Sequence, residues 1–374
     1  MSEPLRIGVD ARPLHHPTSG IGRYLGKLLA EFLQQSPHRW YLYTDRPLNT
    51  DFEQTQVQVR AGHIAIKAAS SLFCQRTFPR WAKEDQLDLF WSPRHHLPVL
   101  DIPSVVTIHD LVWRKQPETM IRLGRIIESL LMPGALTRAT TILTPSISTA
   151  EDIRDYRPDC SDKIVVTPLA PTLEPSEHPG PPSQRSLLFV GTIEPRKNLL
   201  RVIDAFMSLS GAAKLYTLKV AGHQGWKNTA ELKRLNDPAL KGRVQFMGAV
   251  TDDQLQRLYA EADFLVAPSL YEGCGLQILD ALAFGKPVIT SNISSLPEVA
   301  GKAGLLVDPR SVPQIADAIR TLIEDPSTYE RLRANAVLEV QAYSWRSTAR
   351  STLSALEGAA LTPKRSASTT QSPH

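Results

Sequence analysis

The chain has 374 residues, 42% hydrophobic and 21% charged, which is long enough for two cored domains and too apolar for a disordered chain. Its net charge of +4 favours phosphates or an anionic surface but is too small to argue for nucleic acid. No apolar run reaches the roughly 18 residues of a membrane-spanning helix, and three cysteines (Cys74, Cys160, Cys274) lack disulfide or metal spacing, so a reducing cytoplasm is the expected setting.

Apolar runs alternate with helical patterns, the mark of an α/β chain with parallel sheets. The start lacks an apolar signal core and goes directly into a strand, Arg6 to Asp10. A helix is expected over Gly20 to Gln34. Strands follow at Trp40 to Thr44, Leu87 to Trp91 and Ser104 to Ile108. Arg122 to Ala139 reads as helix, Thr141 to Pro145 as strand, Ser148 to Arg154 as helix and Ile164 to Thr167 as strand. Pro168 to Gln184 then holds six prolines, which no regular element tolerates, so a linker is expected there.

The second half alternates again. Strands are expected at Leu187–Gly191, Tyr216–Ala221, Val244–Phe246, Phe264–Ala267, Val288–Ile289 and Leu305–Val307. Helices are expected at Asn198–Ser208 (capped by Asn198), Thr229–Asn236, Asp252–Glu261, Leu276–Phe284, Pro313–Glu324, Ser327–Ala342 and Ser344–Leu356. The expected division is a first domain over 1–170, a linker over 171–186, a second domain over 187–342, a final helix over 343–358 and a small, polar, disordered tail over 359–374.

The richest segment is Ser269-Leu-Tyr-Glu-Gly-Cys-Gly-Leu276. A strand ends at Pro268, a turn with Gly273 and Gly275 follows, and a helix opens. A helix opening on glycines after a strand turns free amides and a positive dipole end to a cleft, which makes an anion site. Carboxylates stand nearby at Glu272 and Asp280. Phosphates plus hydroxyls suit such a site, and a nucleotide sugar carries both. Phe189-Val-Gly-Thr-Ile-Glu-Pro-Arg-Lys-Asn198 places Arg196 and Lys197 in a loop after a strand, where cations can stabilise a diphosphate leaving group. Val105-Val-Thr-Ile-His-Asp-Leu111 places His109 at a strand's C-terminal end, where open α/β sheets bind ligands. His15-His16 and His95-His96 have no metal spacing; the second pair reads as loop, with acceptor binding as the alternative. Gly20-Ile-Gly22 narrowly misses a dinucleotide fingerprint, because the third glycine falls at Gly26. No Asp-x-Asp and no phosphate-loop NTPase motif occurs.

From Arg6-Ile-Gly-Val-Asp-Ala-Arg to Ser344-Trp-Arg-Ser-Thr-Ala, these motifs in this order resemble retaining glycosyltransferases of the GT-B fold, in the glycosyltransferase 4 family (group 1 type) that includes bacterial mannosyltransferases of O-antigen and exopolysaccharide assembly. The resemblance implies two Rossmann-like domains facing each other across a cleft, with the last helix crossing back onto the first. The family signature is Glu, seven residues, Glu; here the second acid is Asp280. By resemblance, Arg196, Lys197, Gly20, Gly275 and Leu276 hold the donor diphosphate. His109, Glu272, Gly273 and Cys274 meet the donor sugar, with His109 and Glu272 as the catalytic contacts. Cys274 offers backbone only. Asp280 takes the ribose hydroxyls, Gly248 and Val250 border the base, and Arg12 and Arg23 are acceptor contacts.

The implied activity is transfer of a hexose, mannose from GDP-mannose, to a lipid-linked or other saccharide acceptor, with no cofactor and no metal. Rhamnosyl or other hexosyl transfer from a dTDP or UDP donor is the alternative. A non-catalytic partner subunit and a sugar-nucleotide epimerase are the rivals of another class. Acceptors of the family are commonly lipid-linked, so peripheral contact with the inner face of the plasma membrane is expected. Two stretches mix cations with apolar side chains: Lys67 to Lys83, the favoured one, and Trp113 to Arg125.

Overall fold

The computed structural model describes residues 3–49, 55–64, 70–175 and 185–362. Two all-parallel sheets form the frame. The first contains β1 (Arg6–Asp10), β2 (Arg39–Thr44), β3 (Val57–Ala61), β4 (Leu89–Ser92), β5 (Ser104–Thr107), β6 (Thr141–Thr144) and β7 (Ile164–Val166). Their spatial order is β3-β2-β1-β4-β5-β6-β7. The second contains β8 (Ser186–Val190), β9 (Thr217–Ala221), β10 (Val244–Gly248), β11 (Phe264–Ala267), β12 (Val288–Ser291) and β13 (Gly304–Val307), ordered β10-β9-β8-β11-β12-β13. In each sheet the order reverses beside the first strand. That leaves a crevice outside the strands' C-terminal ends, between β1 and β4 in one sheet and between β8 and β11 in the other.

Helices cover the sheets. The first domain carries α1 (Gly20–Gln35), α2 (Ser70–Glu84), α3 (Val112–Lys115), α4 (Arg122–Arg138) and α5 (Ile147–Tyr156). The second carries α6 (Leu199–Met207), α7 (Thr229–Leu235), α8 (Asp252–Glu261), α9 (Leu276–Ala283), α10 (Leu296–Ala300), α11 (Val312–Glu324) and α12 (Pro326–Glu339), and α13 (Trp345–Ala360) follows. Most of the strands read from the sequence recur within two residues. β3 escaped the reading because its Val-Gln-Val-Arg-Ala pattern is half-exposed at the sheet edge. Asn198 does not cap α6 with its side chain: it sits in the left-handed region (φ 67°) and its amide donates to the Pro268 and Pro309 carbonyls, tying two loops together.

The final helix does return to the first domain. α13 packs along α1, and Leu353, Leu356 and Ala359 share one buried cluster with Leu25, Leu28 and Phe32. Trp345 Nε1 donates to the Pro171 carbonyl at 2.7 Å and Thr348 Oγ1 to the Pro168 carbonyl at 2.6 Å. The same cluster continues through Leu169 and Leu173 to Ile278 and Leu282 of α9, so the strap and the linker weld the domains at one edge. The helix runs to Ala360, past the expected end; residues 176–184 of the expected linker and 363–374 of the expected tail lie outside the described residues.

Leu356 is fully buried in this weld. Leu356→Ala should lower stability by roughly 2–5 kcal/mol, the range for a truncated core leucine. Urea denaturation of the variant against wild type measures this, and an unchanged midpoint would show that the strap carries no stability.

Candidate active site

The loop between β11 and α9 holds Glu272, and three hydrogen bonds from two serines fix its backbone. Glu272 N–H donates to Ser294 Oγ at 3.0 Å, and its carbonyl accepts from Ser294 Oγ and from Ser295 Oγ, the latter at 2.9 Å. Both serines lie in the β12–α10 connection, within the Ser291-Asn-Ile-Ser-Ser-Leu-Pro-Glu-Val-Ala300 motif of the resemblance, and Ser294 takes a positive φ of 62°. The Glu272 carboxylate lies between two cations. Its Oε2 accepts from Arg196 Nη1 at 2.6 Å and its Oε1 from Lys197 Nζ at 2.5 Å. Arg196 also reaches the Tyr271 carbonyl and Glu194 Oε1.

Burial pushes the Glu272 carboxyl up, but the Arg196 and Lys197 charges win and hold it at about 2. Glu272 is therefore an anion throughout the neutral range. Glu194 is buried and shifted the other way, raised by burial and only partly compensated by Arg196 and Lys197. The result is two cations and two carboxylates packed within one loop pair at the β8–β11 crevice. Burial pushes the Cys274 thiol up to about 12, which keeps it protonated and makes it a poor nucleophile.

Two helix starts converge on the same place. α9 begins after Gly275, whose φ of +86° puts it in the left-handed region. α1 begins at Gly20, capped by the Ser19 hydroxyl, which accepts from the Gly22 amide. A side-chain carbon at Gly20 would come within 3.6 Å of Leu276 Cδ1, so the two helix starts lie close together across the cleft. A phosphate-rich ligand at that point would find two helix N-termini, with Arg196 and Lys197 supplied by the neighbouring loop.

The cleft closes at Gly273. A Cβ there would lie 1.8 Å from the His109 carbonyl oxygen, so only glycine allows this approach. Thr149 Oγ1 donates to both the His109 and Gly273 carbonyls at 3.3 Å. Tyr271 crosses the same gap, donating to Asp152 at 2.6 Å and accepting from the Leu111 amide. Glu298 of α10 accepts from the Ile147 and Ser148 amides and thereby caps α5 of the other domain.

The half-buried His109 imidazole packs edge to face against Tyr24, with ring centroids 4.9 Å apart. Its Nε2 lies 2.9 Å from the Pro93 carbonyl, which assigns the proton to that nitrogen and leaves Nδ1 as an acceptor. Desolvation is the largest cause that lowers its pKa, to about 4. His109 thus works as a neutral hydrogen-bond acceptor near pH 7. The His109 amide in turn donates to His95 Nε2 at 3.1 Å, and Glu128 of α4 sits against His95 Nδ1 and His96 Nε2. The His95-His96 pair therefore supports the strand end that carries His109.

Three assignments implied by the resemblance meet other partners. The Asp280 carboxylate faces inward; it accepts from the Thr172 amide at 2.6 Å, the Leu173 amide at 3.1 Å and the Thr172 hydroxyl. Its oxygens are thus held by the linker, at Thr172 and Leu173. Arg12 is buried and doubly bound to Asp10, with a further bond to Ser70. Arg23 forms a two-point ion pair with Asp252 of α8, across the domains. Neither arginine is left for an acceptor in this arrangement. Gly248 takes a positive φ of 66° at the end of β10, and Val250 follows just before α8, on the Arg23–Asp252 side of the cleft.

Two parallel-sheet domains facing each other across a charged crevice are the frame of the GT-B fold. Residues 18–170 match the model described as Glycosyltransferase Family 4 and residues 184–325 the model described as Glycosyl transferases group 1. O-antigen chain mannosyltransferase B of Escherichia coli is 30% identical over 94% of this chain and 99% of its own. The chain belongs to this family of group 1 glycosyltransferases, and it is an enzyme of that class. Among solved structures, sucrose-phosphate synthase from Thermosynechococcus elongatus superposes with a TM-score of 0.76 at 19% identity, covering 95% of this chain and 98% of that one. Anabaena Alr3699/HepE, solved with UDP and glucose, gives 0.69 at 17% identity over 94% and 99%. These two likenesses show the fold.

Burial raises the Asp280 pKa to about 6, partly offset by the Thr172 and Leu173 amides. Its folded value lies above the ordinary value of about 3.9, so folding takes up a proton between about pH 4 and 6 and stability from this group falls as pH rises through that window. Asp280→Asn does not titrate. Its stability relative to wild type should rise by about 2 kcal/mol between pH 4.5 and 7.5 in urea denaturation. A difference independent of pH would show that Asp280 titrates as an ordinary carboxylate.

Proposed function

We propose that this glycosyltransferase moves mannose from GDP-mannose to a lipid-linked saccharide acceptor of cell-surface polysaccharide assembly, keeping the anomeric configuration. The observation that carries the donor reading is the similarity to the O-antigen mannosyltransferase, which runs over nearly the full length of both chains. Donor seating is supported by the geometry: neighbouring helix starts at Gly20 and Leu276, with Arg196 and Lys197 beside them. These groups oppose the charge that grows on the departing diphosphate.

In this reading the sugar lies between Glu272 and His109. Glu272, ionised and fixed by Ser294 and Ser295, accepts hydroxyl hydrogens of the sugar; Nδ1 of His109 accepts another. Neither is built to attack carbon: Glu272 is engaged by two cations and His109 is fixed on Pro93. Attack from the leaving-group face, with the diphosphate taking the acceptor proton, fits such a site. Domain closure at Gly273 excludes water that would hydrolyse the donor. Arg196, Lys197 and the helix dipoles supply the positive charge, so we expect no metal requirement.

A donor panel with a lipid-linked acceptor tests this. GDP-mannose should be the preferred donor, the product should keep the anomeric configuration by NMR, and transfer should survive excess EDTA. Glu272→Ala should slow transfer by on the order of a hundredfold or more while the protein stays folded. Preference for a UDP or dTDP donor overturns the mannose reading. Epimerisation without acceptor, or no turnover of any donor, favours the rival classes.

Membrane contact belongs to the same proposal, on a different surface from the favoured one. In α2, Phe78 is fully buried, and Phe73 and Trp81 pack with it beside Tyr43, leaving Leu72 as the exposed large apolar residue of that stretch. Lys67 lies outside the described residues. The segment leading into and along α4 is different: Ile121, Leu123, Ile126 and Leu130 are all exposed, from 45% to 71%, beside exposed Arg122 and Arg125. An anionic bilayer satisfies both kinds of side chain, at about 1 kcal/mol per basic residue near the surface. In liposome sedimentation at low salt, Arg122→Glu/Arg125→Glu/Leu123→Glu should lose binding to anionic vesicles, whereas Arg76→Glu/Arg80→Glu should bind like wild type. Equal binding by all three proteins would remove α4 as the contact.

A further inference from the structure

Arg196 is shared between two carboxylates. Its Nη1 donates to Glu272 Oε2 and to the Tyr271 carbonyl, and its Nη2 donates to Glu194 Oε1 at 2.6 Å. Glu272 has a part at the sugar and the two cations a part at the phosphates, but Glu194 has no part in that reading. It is nonetheless the more deeply buried carboxylate, 1% exposed against 7% for Glu272. The reason is local. Glu194 precedes the short turn Pro195–Lys197, and the loop after β9 lies over it: a side-chain carbon at Gly225 would meet the Ile193 carbonyl oxygen at 2.9 Å and Glu194 Cβ at 3.5 Å. A parallel bridge between Ile193 and Gln224 fixes this roof.

Only one oxygen of Glu194 is engaged. Oε2 is closed to solvent and has no hydrogen-bond partner. That is a standing cost in a folded chain. An oxygen closed off in this way does not meet a ligand, so Glu194 acts through Arg196. A glutamine in its place could still accept from Arg196 Nη2, and an apolar side chain would remove the cost. Neither would put a negative charge beside Arg196, so charge is what the position retains.

A diphosphate that draws Arg196 Nη1 away from Glu272 leaves Nη2 on Glu194. The guanidinium therefore keeps one fixed partner through the exchange. The charge of Glu194 works in the opposite sense, against the diphosphate. Without it, Arg196 and Lys197 would outweigh Glu272 and hold the product after the sugar has left. Removing one unit charge at such close range changes a binding constant by on the order of tenfold or more. We propose that Glu194 is a positioning residue: it holds Arg196 toward the diphosphate and, by its charge, limits how tightly the nucleoside diphosphate product is kept. This inference rests on seating the diphosphate at Arg196 and Lys197, but not on which sugar or base the donor carries.

The test is calorimetry with GDP and UDP, continued with the tighter binder, together with steady-state kinetics. Glu194→Gln keeps the bond to Arg196 and loses the charge. It should bind the nucleoside diphosphate on the order of tenfold more tightly than wild type, and the product-inhibition constant should fall by the same factor. Glu194→Asp keeps the charge and loses reach, so its affinity should stay close to wild type while kcat falls. Weaker or unchanged binding in Glu194→Gln overturns the proposal, because a merely structural contact can only weaken the site when it is altered. Tightening in Glu194→Asp overturns it too, since geometry rather than charge would then set the affinity. Glu194→Ala, also uncharged, replaces the glutamine variant if that one does not fold, and the same tightening is required of it. Arg196→Ala tests the reading underneath. Weaker binding there upholds the diphosphate site and leaves Glu194→Gln to decide; unchanged binding puts the diphosphate elsewhere, and the proposal falls with it.

Discussion

One buried carboxylate organises the centre of this enzyme. Glu272 is withdrawn from water, yet the site needs it ionised. Arg196 and Lys197, which lie 75 and more residues earlier in the chain, make that state the stable one. The requirement ties the loop after β8 to the loop after β11 and sets their spacing. Buried ion pairs of this kind are seldom retained for stability, since an apolar pair of equal volume often does as well. Their persistence here points to the ligand: cations that can face phosphates, and an anion that can face hydroxyls, have to coexist within one small volume. Pairing them with each other keeps both desolvated charges tolerable.

That arrangement also determines how the domains meet. Glu272 is followed by Gly273, and a residue with any side chain could not lie against the His109 carbonyl. Glu298, in α10 beyond α9 and β12, caps α5 across the gap, while Ser294 and Ser295 just before α10 hold the Glu272 backbone. Donor-side geometry and domain closure are therefore built from one contiguous segment. A shift of that segment toward or away from its cations would be felt at the first domain through Gly273, Tyr271 and Glu298 together.

Much of this was legible in the sequence, and the reasons are local. Short β-branched runs bounded by turns marked most strands, and the Gly-flanked Glu272 turn with Arg196 and Lys197 marked the charged β8–β11 crevice. What escaped was pairing at long range. Nothing local says that Asp280 will face Thr172 and Leu173, that Arg23 will meet Asp252, or that Arg12 will fold back on Asp10. Each charge looked available because its partner is remote or its backbone bend unseen. Helix faces were misjudged for the same reason: α2 and α4 share a composition of cations and large apolar groups, and only packing shows that Phe78 and Trp81 turn inward while Leu123 and Leu130 turn out.

The two sheets repeat one order of strands, and the repetition has a chemical consequence. Each order reversal opens a crevice at the carboxyl ends of its strands, and the strap α13 and the linker keep the two crevices facing each other. On the second-domain side the cations are matched by carboxylates, so an arriving diphosphate exchanges one set of partners for another. On the first-domain side Asp10 pairs with Arg12, and Glu128 sits against His95 and His96. Charges on both sides of the gap therefore have partners of their own, and the approach of Gly273 to the His109 carbonyl sets how near the two crevices come.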